Sequence, residues 1–401
     1  MSDWSEELFY LLKKVGKSAG SAARAVKSAL DDDPHEILCY RGFANSTTSW
    51  VYGRVIERRN FGASTEGDST LRNLLNTYRR ADSDPLPFAA VTLILGESRI
   101  PLTADDEGYF GGLQQAYPPA SDNEWVEYSA EMNTAPLPDT PRTSAKGEIL
   151  NLAPTAKFGV ISDIDDTVIQ SRVSSFIQAA RTVMLGNART RLPFPGVAAF
   201  YRALREGSGG DEKNPIFYVS SSPWNIYDVI SEFMELQHIP KGPLMLRDWD
   251  IGLGSLAGSR HFDHKAIAIR NILGVFPSLP FILIGDSSQH DPEIYRQIVK
   301  EFPGRIHAIY IRDVTRSPER SSSVKKLADE IIAANSTLVL ADDTLGAARH
   351  AARCGWITDK ALPDVGEEKR ADEGAEGSKA PAPDGGKPGT GTPPTVIGNR
   401  S

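Results

Sequence analysis

Residues 158–171 read Phe-Gly-Val-Ile-Ser-Asp-Ile-Asp-Asp-Thr-Val-Ile-Gln-Ser. The apolar run Phe158 to Ile161 predicts a buried strand that ends on three carboxylates, Asp163, Asp165 and Asp166, followed by Thr167. Side chains alternate on an extended segment, so Asp163 and Asp165 leave on the same side. Two carboxylates held that close repel unless a cation or a proton lies between them. An oxygen-rich site of this kind suits Mg²⁺, which keeps several waters and often binds a substrate phosphate. Three further stretches have the same design. Ile216–Val219 is a second buried strand ending in Ser220-Ser221-Ser222, whose hydroxyls and backbone amides precede a helix near Asn225 and can cradle a phosphate or simply cap that helix. Lys265 opens a helical run to Leu273, from where its ammonium could reach a phosphate or stay in solvent. Phe281–Ile284 is another buried strand, running into Gly285-Asp286 with Asp291 five residues later. Acid cluster, hydroxyl, lysine and acid pair together supply a nucleophile, phosphate donors and Mg²⁺ ligands.

Such residues meet only if the strands lie side by side. Strands alternating with helices from about residue 151 predict a parallel α/β sheet, whose sites lie beyond the carboxyl ends of the strands. Between the first two strands, residues 168–215 form an insert with helical patterns over Ser174–Leu185 and Gly196–Leu204, readable as a cap over the site or as helices packed on the sheet. Ser336–Leu340 is a late strand ending in Asp342-Asp343, which either face the site or cap the next helix. His261, Asp263 and His264 match no zinc spacing and lack a fourth ligand.

Upstream, Ile37–Tyr40, Ser49–Ile56 and Phe88–Leu95 predict a small antiparallel β-sandwich, interrupted by a helical stretch at 65–81. The acidic turn Thr103–Gly108 before Tyr109-Phe110 reads as a hairpin; its spacing is not that of an EF-hand loop. Residues 4–30 form a basic amphipathic pattern, either an interfacial helix at an anionic lipid surface or a helix packed on its own domain. The expected division is an N-terminal helix (1–35), a β-sandwich-like domain (36–135), a Pro-rich linker (136–150), an α/β domain (151–358) and a disordered Gly/Pro/Glu/Ala-rich tail (359–401).

Across 401 residues, 40% hydrophobic and 24% charged residues describe an ordinary globular chain, and a net charge of −8 argues against a nucleic-acid partner. Cys39 and Cys354 match no metal spacing and read as free thiols of a reducing compartment. No apolar stretch reaches the roughly 18–20 residues that span a bilayer, and no signal-peptide pattern is present, so the expected location is cytoplasmic, with peripheral membrane contact through the first helix.

The order Asp163-x-Asp165-x-Thr167, Ser220, Lys265, Gly285-Asp286 and Asp291 resembles the haloacid dehalogenase superfamily of phosphohydrolases. The strings SDIDDTVIQS, YVSSSPWN, PLMLRDW and IGDSSQHDPEIY resemble, more narrowly, the phosphatidate phosphatase catalytic-domain family of the yeast actin-patch enzyme, itself distantly like the lipins. The likeness covers about residues 150–355, and the β domain resembles the amino-terminal part of bacterial members. It implies a Rossmann-like parallel sheet, Mg²⁺, and hydrolysis of phosphatidate to diacylglycerol and phosphate. In that reading Asp163 is the nucleophile and Asp165 the general acid and then base. Thr167 braces the first loop. Ser220, or its neighbour Ser221 or Ser222, binds a phosphoryl oxygen, and Lys265 neutralises charge in flight. Asp163, the carbonyl of Asp165 and Asp286 hold Mg²⁺, with Asp291 holding Lys265 or a metal-bound water. Asp166 has no role in that pattern.

Overall fold

A computed structural model describes residues 35–57, 85–118, 121–133, 143–164, 196–247, 257–287, 290–312, parts of 323–331, 336–341, 343–377 and 395–397. The chain divides into two compact units, with the main boundary between Leu152 and Ala153. The amphipathic segment 4–30, the helical pattern at 65–81, the helix expected at 174–185, and the residues Asp165, Asp166, Thr167 and Asp342 all lie outside the described residues.

The first unit is a mixed sheet of eight strands: β1 His35–Cys39, β2 Gly42–Ala44, β3 Ser49–Glu57, β4 Ala90–Leu95, β5 Ser98–Thr103, β6 Tyr109–Gln114, β7 Trp125–Met132 and β8 Ser144–Asn151. The order is β1-β3-β2-β8-β7-β4-β5, with β6 on the far side of β3. All pairings are antiparallel except β2 with β8. Val55 of β3 and Val91 of β4 share one buried cluster, and Val51 and Leu93 another. Strands separated in the sheet can share a core only if the sheet curls over and buries one face against itself.

Two expectations change here. Residues 144–150, read as linker, belong with Asn151 to strand β8, paired with β7 on one side and β2 on the other. Three upstream prolines and a single apolar pair, Ile149-Leu150, hid it; both flanking ladders override that weak local signal. The acidic turn is not a hairpin, because β5 pairs with β4 and β6 with β3. Its Asp105 carboxylate accepts the N–H groups of Glu107 and Tyr109 at 2.9 and 2.8 Å, folding the chain between two strands that do not pair with each other. The two-residue hairpin is Gly96-Glu97, between Leu95 and Ser98, with Gly96 at φ 57°.

The second unit is α/β. Strands β9 Gly159–Asp163, β10 Ile216–Pro223, β11 Leu244–Arg247, β12 Phe281–Asp286, β13 Ile306–Arg312, β14 Thr337–Ala341 and β15 Thr395–Ile397 lie in the order β11-β10-β9-β12-β13-β14-β15. All neighbours are parallel except β15. The helices are α1 Val197–Glu206, α2 Tyr227–Leu236, α3 Ala257–Val275, α4 Asp291–Glu301, α5 Thr344–Arg353 and α6 Leu362–Gly377. Strand β9 is buried throughout, as a central parallel strand must be. The direction of winding reverses between β9 and β12, and crevices form at such a switch point.

Three local expectations are corrected. The second helix of the expected insert is α1, and it packs on the sheet: Phe200 meets Tyr310 edge-on at 5.9 Å between centroids, and Tyr201 lies 6.2 Å from Tyr218. Helix α3 starts at Ala257, so Lys265 sits mid-helix rather than at its opening. The start of the expected disordered tail is helix α6. Half of its sixteen residues are charged, and polar contacts hold it beside the buried Val365. Glu368 accepts the Ala199 N–H at 2.9 Å and pairs with Arg202 at 2.6 Å, and Lys369 pairs with Asp343 at 2.6 Å.

Candidate active site

Asp163 and Asp286 are the last residues of β9 and β12, the two strands flanking the switch point. Lys265 reaches them from α3. Its Nζ lies 2.9 Å from Asp163 Oδ1 and 2.9 Å from Asp291 Oδ1, with side-chain exposures of 3% for the lysine and 2% and 0% for the acids. Asp291 opens α4, where the helix dipole favours a carboxylate. Its Oδ2 accepts the Asp286 N–H at 3.2 Å. Gly285 makes room for it: a Cβ there would stand 2.5 Å from Asp291 Oδ2.

A buried ammonium must be paired, and Lys265 is paired twice. Asp163, Asp286 and Asp291 each offer an oxygen within 4.8 Å of the others, all three buried. Three buried carboxylate oxygens gathered this closely are a donor set that suits a divalent ion.

Ser220 lies within β10, which runs on to Pro223, one residue past Val219, which pairs with Asp163. It is fully buried, and its Oγ accepts the Ser222 N–H at 3.0 Å. Ser221 is half-buried beside it. Asp343, at the end of β14, caps α5 by accepting the Gly346 N–H at 2.7 Å. The candidate zinc residues His261 and Asp263 have side chains outside the described residues. No described helix is long and apolar enough to cross a membrane.

With this geometry in place, comparison with known proteins is informative. Residues 158–313 match the family model of the phosphatidate phosphatase APP1 catalytic domain. This stretch resembles that family. Phosphatidate phosphatase APP1 of Saccharomyces cerevisiae is 33% identical over 160 residues, which are 40% of this chain and 26% of that protein. An uncharacterized protein of Schizosaccharomyces pombe is 30% identical over 160 residues, 39% of this chain and 25% of that one. The chain thus spans about a quarter of the length of these relatives. Among solved structures, a carbohydrate acetylesterase from Xanthomonas citri aligns at TM-score 0.22 and 12% identity over 67% of this chain and 66% of that one, too low a likeness to identify a shared fold.

The APP1-like stretch also contains a polar layer beneath the acids that spacing arguments overlooked. Tyr295 donates from its hydroxyl to the Ile284 carbonyl at 2.8 Å. Burial, and then Asp291, Asp163 and Asp286, push its phenol far above the ordinary range. Its position four residues after Asp291, on the same helix face, was the available signal. Ser162 donates to the Asp163 carbonyl at 2.9 Å and lies 2.5 Å from the Tyr201 hydroxyl. Burial raises the Tyr201 phenol, and the neighbouring Asp163 raises it further against the Ser162 hydrogen bond, so it stays protonated. A serine in an otherwise apolar strand marked Ser162; nothing in the sequence marked Tyr201.

Proposed function

We propose that this chain is a Mg²⁺-dependent phosphomonoester hydrolase of the haloacid dehalogenase type that converts phosphatidate to diacylglycerol and phosphate. The observation that carries the reading is Lys265 bridging Asp163 and Asp291 at 2.9 Å beside Asp286, inside the stretch that resembles the APP1 catalytic domain. The ion pair keeps Asp163 ionised, the state a nucleophile requires. Asp163 attacks phosphorus and the bond from phosphorus to the glycerol oxygen breaks. Asp165, outside the described residues, gives its proton to that oxygen. Water then attacks the aspartyl-phosphate, Asp165 takes the water's proton, and Asp163 is regenerated as phosphate leaves. Ser220 holds a phosphoryl oxygen and Lys265 offsets charge on the transferring group. Asp163 and Asp286, with the Asp165 carbonyl, are the residues to hold Mg²⁺, which would neutralise the phosphoryl oxygens. Asp291 fixes the lysine. Peripheral contact with a lipid surface is assigned to the basic segment 4–30.

The test measures phosphate release from dioctanoyl phosphatidate and from a panel of soluble phosphate esters, with and without EDTA, for the wild type and Asp163→Asn. Expected are preference for the lipid, abolition by EDTA, and a fall of about four orders of magnitude or more in the variant. Preference for the soluble esters would overturn the lipid assignment, and EDTA-resistant turnover would overturn the metal. Wild-type turnover by Asp163→Asn would overturn the mechanism.

A further inference from the structure

The peptide joining Asp163 to Ile164 is the point where the rigid strand β9 gives way to the segment bearing Asp165. Both of its polar groups are held. The Ile164 N–H donates to the Val219 carbonyl of β10 at 3.3 Å, and the Asp163 carbonyl accepts the Ser162 hydroxyl at 2.9 Å. Ser162 has one hydroxyl proton, and the carbonyl takes it. The 2.5 Å contact with Tyr201 therefore has the phenol as donor. Tyr201 is fixed in turn by packing, with its ring 6.2 Å from Tyr218 and 6.4 Å from Phe200. The result is a directed chain, Tyr201 O–H to Ser162 Oγ–H to Asp163 C=O, with both side chains buried.

We propose that Tyr201 and Ser162 are positioning residues for Asp163. They lock the plane of the peptide that follows it, and with it the backbone torsion that aims the carboxylate. The inference rests on Asp163 being the reacting group. It goes beyond that reading by assigning a role to two residues that touch neither phosphate nor metal. The chain costs little to maintain in a buried setting, because each link satisfies an oxygen that would otherwise be desolvated without a partner.

Tyr201→Phe removes only the hydroxyl, and Ser162→Ala removes the central link. Tyr128→Phe is the reference: its hydroxyl, on strand β7 of the first unit, makes a buried bond of the same kind to the Tyr40 carbonyl at 2.8 Å. Steady-state kinetics on dioctanoyl phosphatidate with Mg²⁺, and thermal melting, are measured for each. Tyr201→Phe is expected to lower kcat about ten-fold with KM unchanged, the loss of one buried hydrogen bond felt as misplacement. Its melting temperature should fall no further than that of Tyr128→Phe, which keeps wild-type kcat. The double variant should be no slower than Ser162→Ala, because the two act as one chain. Ser162→Thr, which keeps the hydroxyl, should recover part of the rate. Wild-type kcat in Tyr201→Phe would overturn the inference, as would additive losses or a raised KM at constant kcat. These results count only if Asp163→Asn is dead in the same assay; an active Asp163→Asn overturns the functional reading instead. If Ser162→Ala fails to fold, Tyr201→Phe still decides.

Discussion

Two Asp–Lys pairs stand at the same end of the same parallel sheet and do different work. Lys265 joins Asp163 and Asp291 with every side chain at most 3% exposed. Lys369 joins Asp343 with exposures of 21% and 40%. The second pair closes on itself: one acid, one base, and a remaining carboxylate oxygen taken by the Gly346 N–H as a helix cap. The first gathers a third carboxylate, Asp286, within 4.8 Å of the other two. Like charges about 4–5 Å apart repel by roughly 3–4 kcal/mol at an effective dielectric near 20. Residue type and strand-end position are shared, so neither identifies a chemical site. A buried cluster of three carboxylates does, because that donor set suits a divalent ion.

The largest break in this comparison is Lys265→Met. It removes the ammonium that joins Asp163 and Asp291, and removing one partner of a buried pair costs about 3–5 kcal/mol. Turnover should fall by at least about three orders of magnitude, the scale on which a charge clamp on the transferring phosphoryl acts. Melting should also become more sensitive to EDTA than in the wild type, because a Mg²⁺ held by these acids would then carry the charge that Lys265 carried. Melting curves with Mg²⁺ and with EDTA test this; an unshifted difference between them would mean the acids are not a cation site.

Next in size is Gly285→Ala. The new Cβ would meet Asp291 Oδ2 at 2.5 Å and its Cβ at 2.9 Å, and Asp291 is fully buried and cannot swing clear. Overpacking of this kind costs about 1–3 kcal/mol, and the displaced carboxylate should release Lys265 and lower kcat at least about ten-fold. Gly366→Ala on α6 sharpens the contrast. Its Cβ would find only Leu345 Cδ2, at 4.0 Å, so helix propensity should raise stability by up to about 1 kcal/mol with kcat unchanged. Denaturant titration and steady-state rates of both variants read the difference.

Those contacts also explain what the sequence could and could not disclose. Strands β9, β10 and β12 were legible because each is a short apolar run ending in a polar cluster, and parallel order follows from alternation with helices. Asp163 and Asp286 came with them, since a strand's last residue is fixed once the strand is, and Ser220 followed from the end of the apolar run Ile216–Val219, although β10 continues to Pro223. Lys265 was legible as a residue but not as a mid-helix, buried one, because what buries it is two acids, one 102 residues upstream in the sequence numbering and one on the following helix. Tyr201 acts through a hydrogen bond across 39 positions, and no local pattern encodes that. Strand β8 and helix α6 were missed for the same reason. Their apolar content is low, and pairing partners or ion pairs supplied from other elements stabilise them.

The smallest expected effect belongs to the closed pair, and it depends on pH. Burial alone would raise the Asp343 carboxyl, but the Lys369 ammonium and the Gly346 N–H outweigh it and hold the group below the usual carboxylate range. A depressed folded value means that the unfolded chain binds the proton more readily. The pair therefore contributes its full stability above the unfolded value near pH 4, and loses it as pH falls through the lower, folded value. Because the pair is partly in water, Lys369→Met should cost no more than about 1 kcal/mol at neutral pH. The gap between wild type and variant should hold from pH 7 to about pH 5 and close as Asp343 protonates in both. Turnover at neutral pH should be unaffected. A loss of kcat in Lys369→Met comparable to that of Lys265→Met would erase the distinction between the two pairs, and would place Asp343 in the chemistry rather than at the head of a helix.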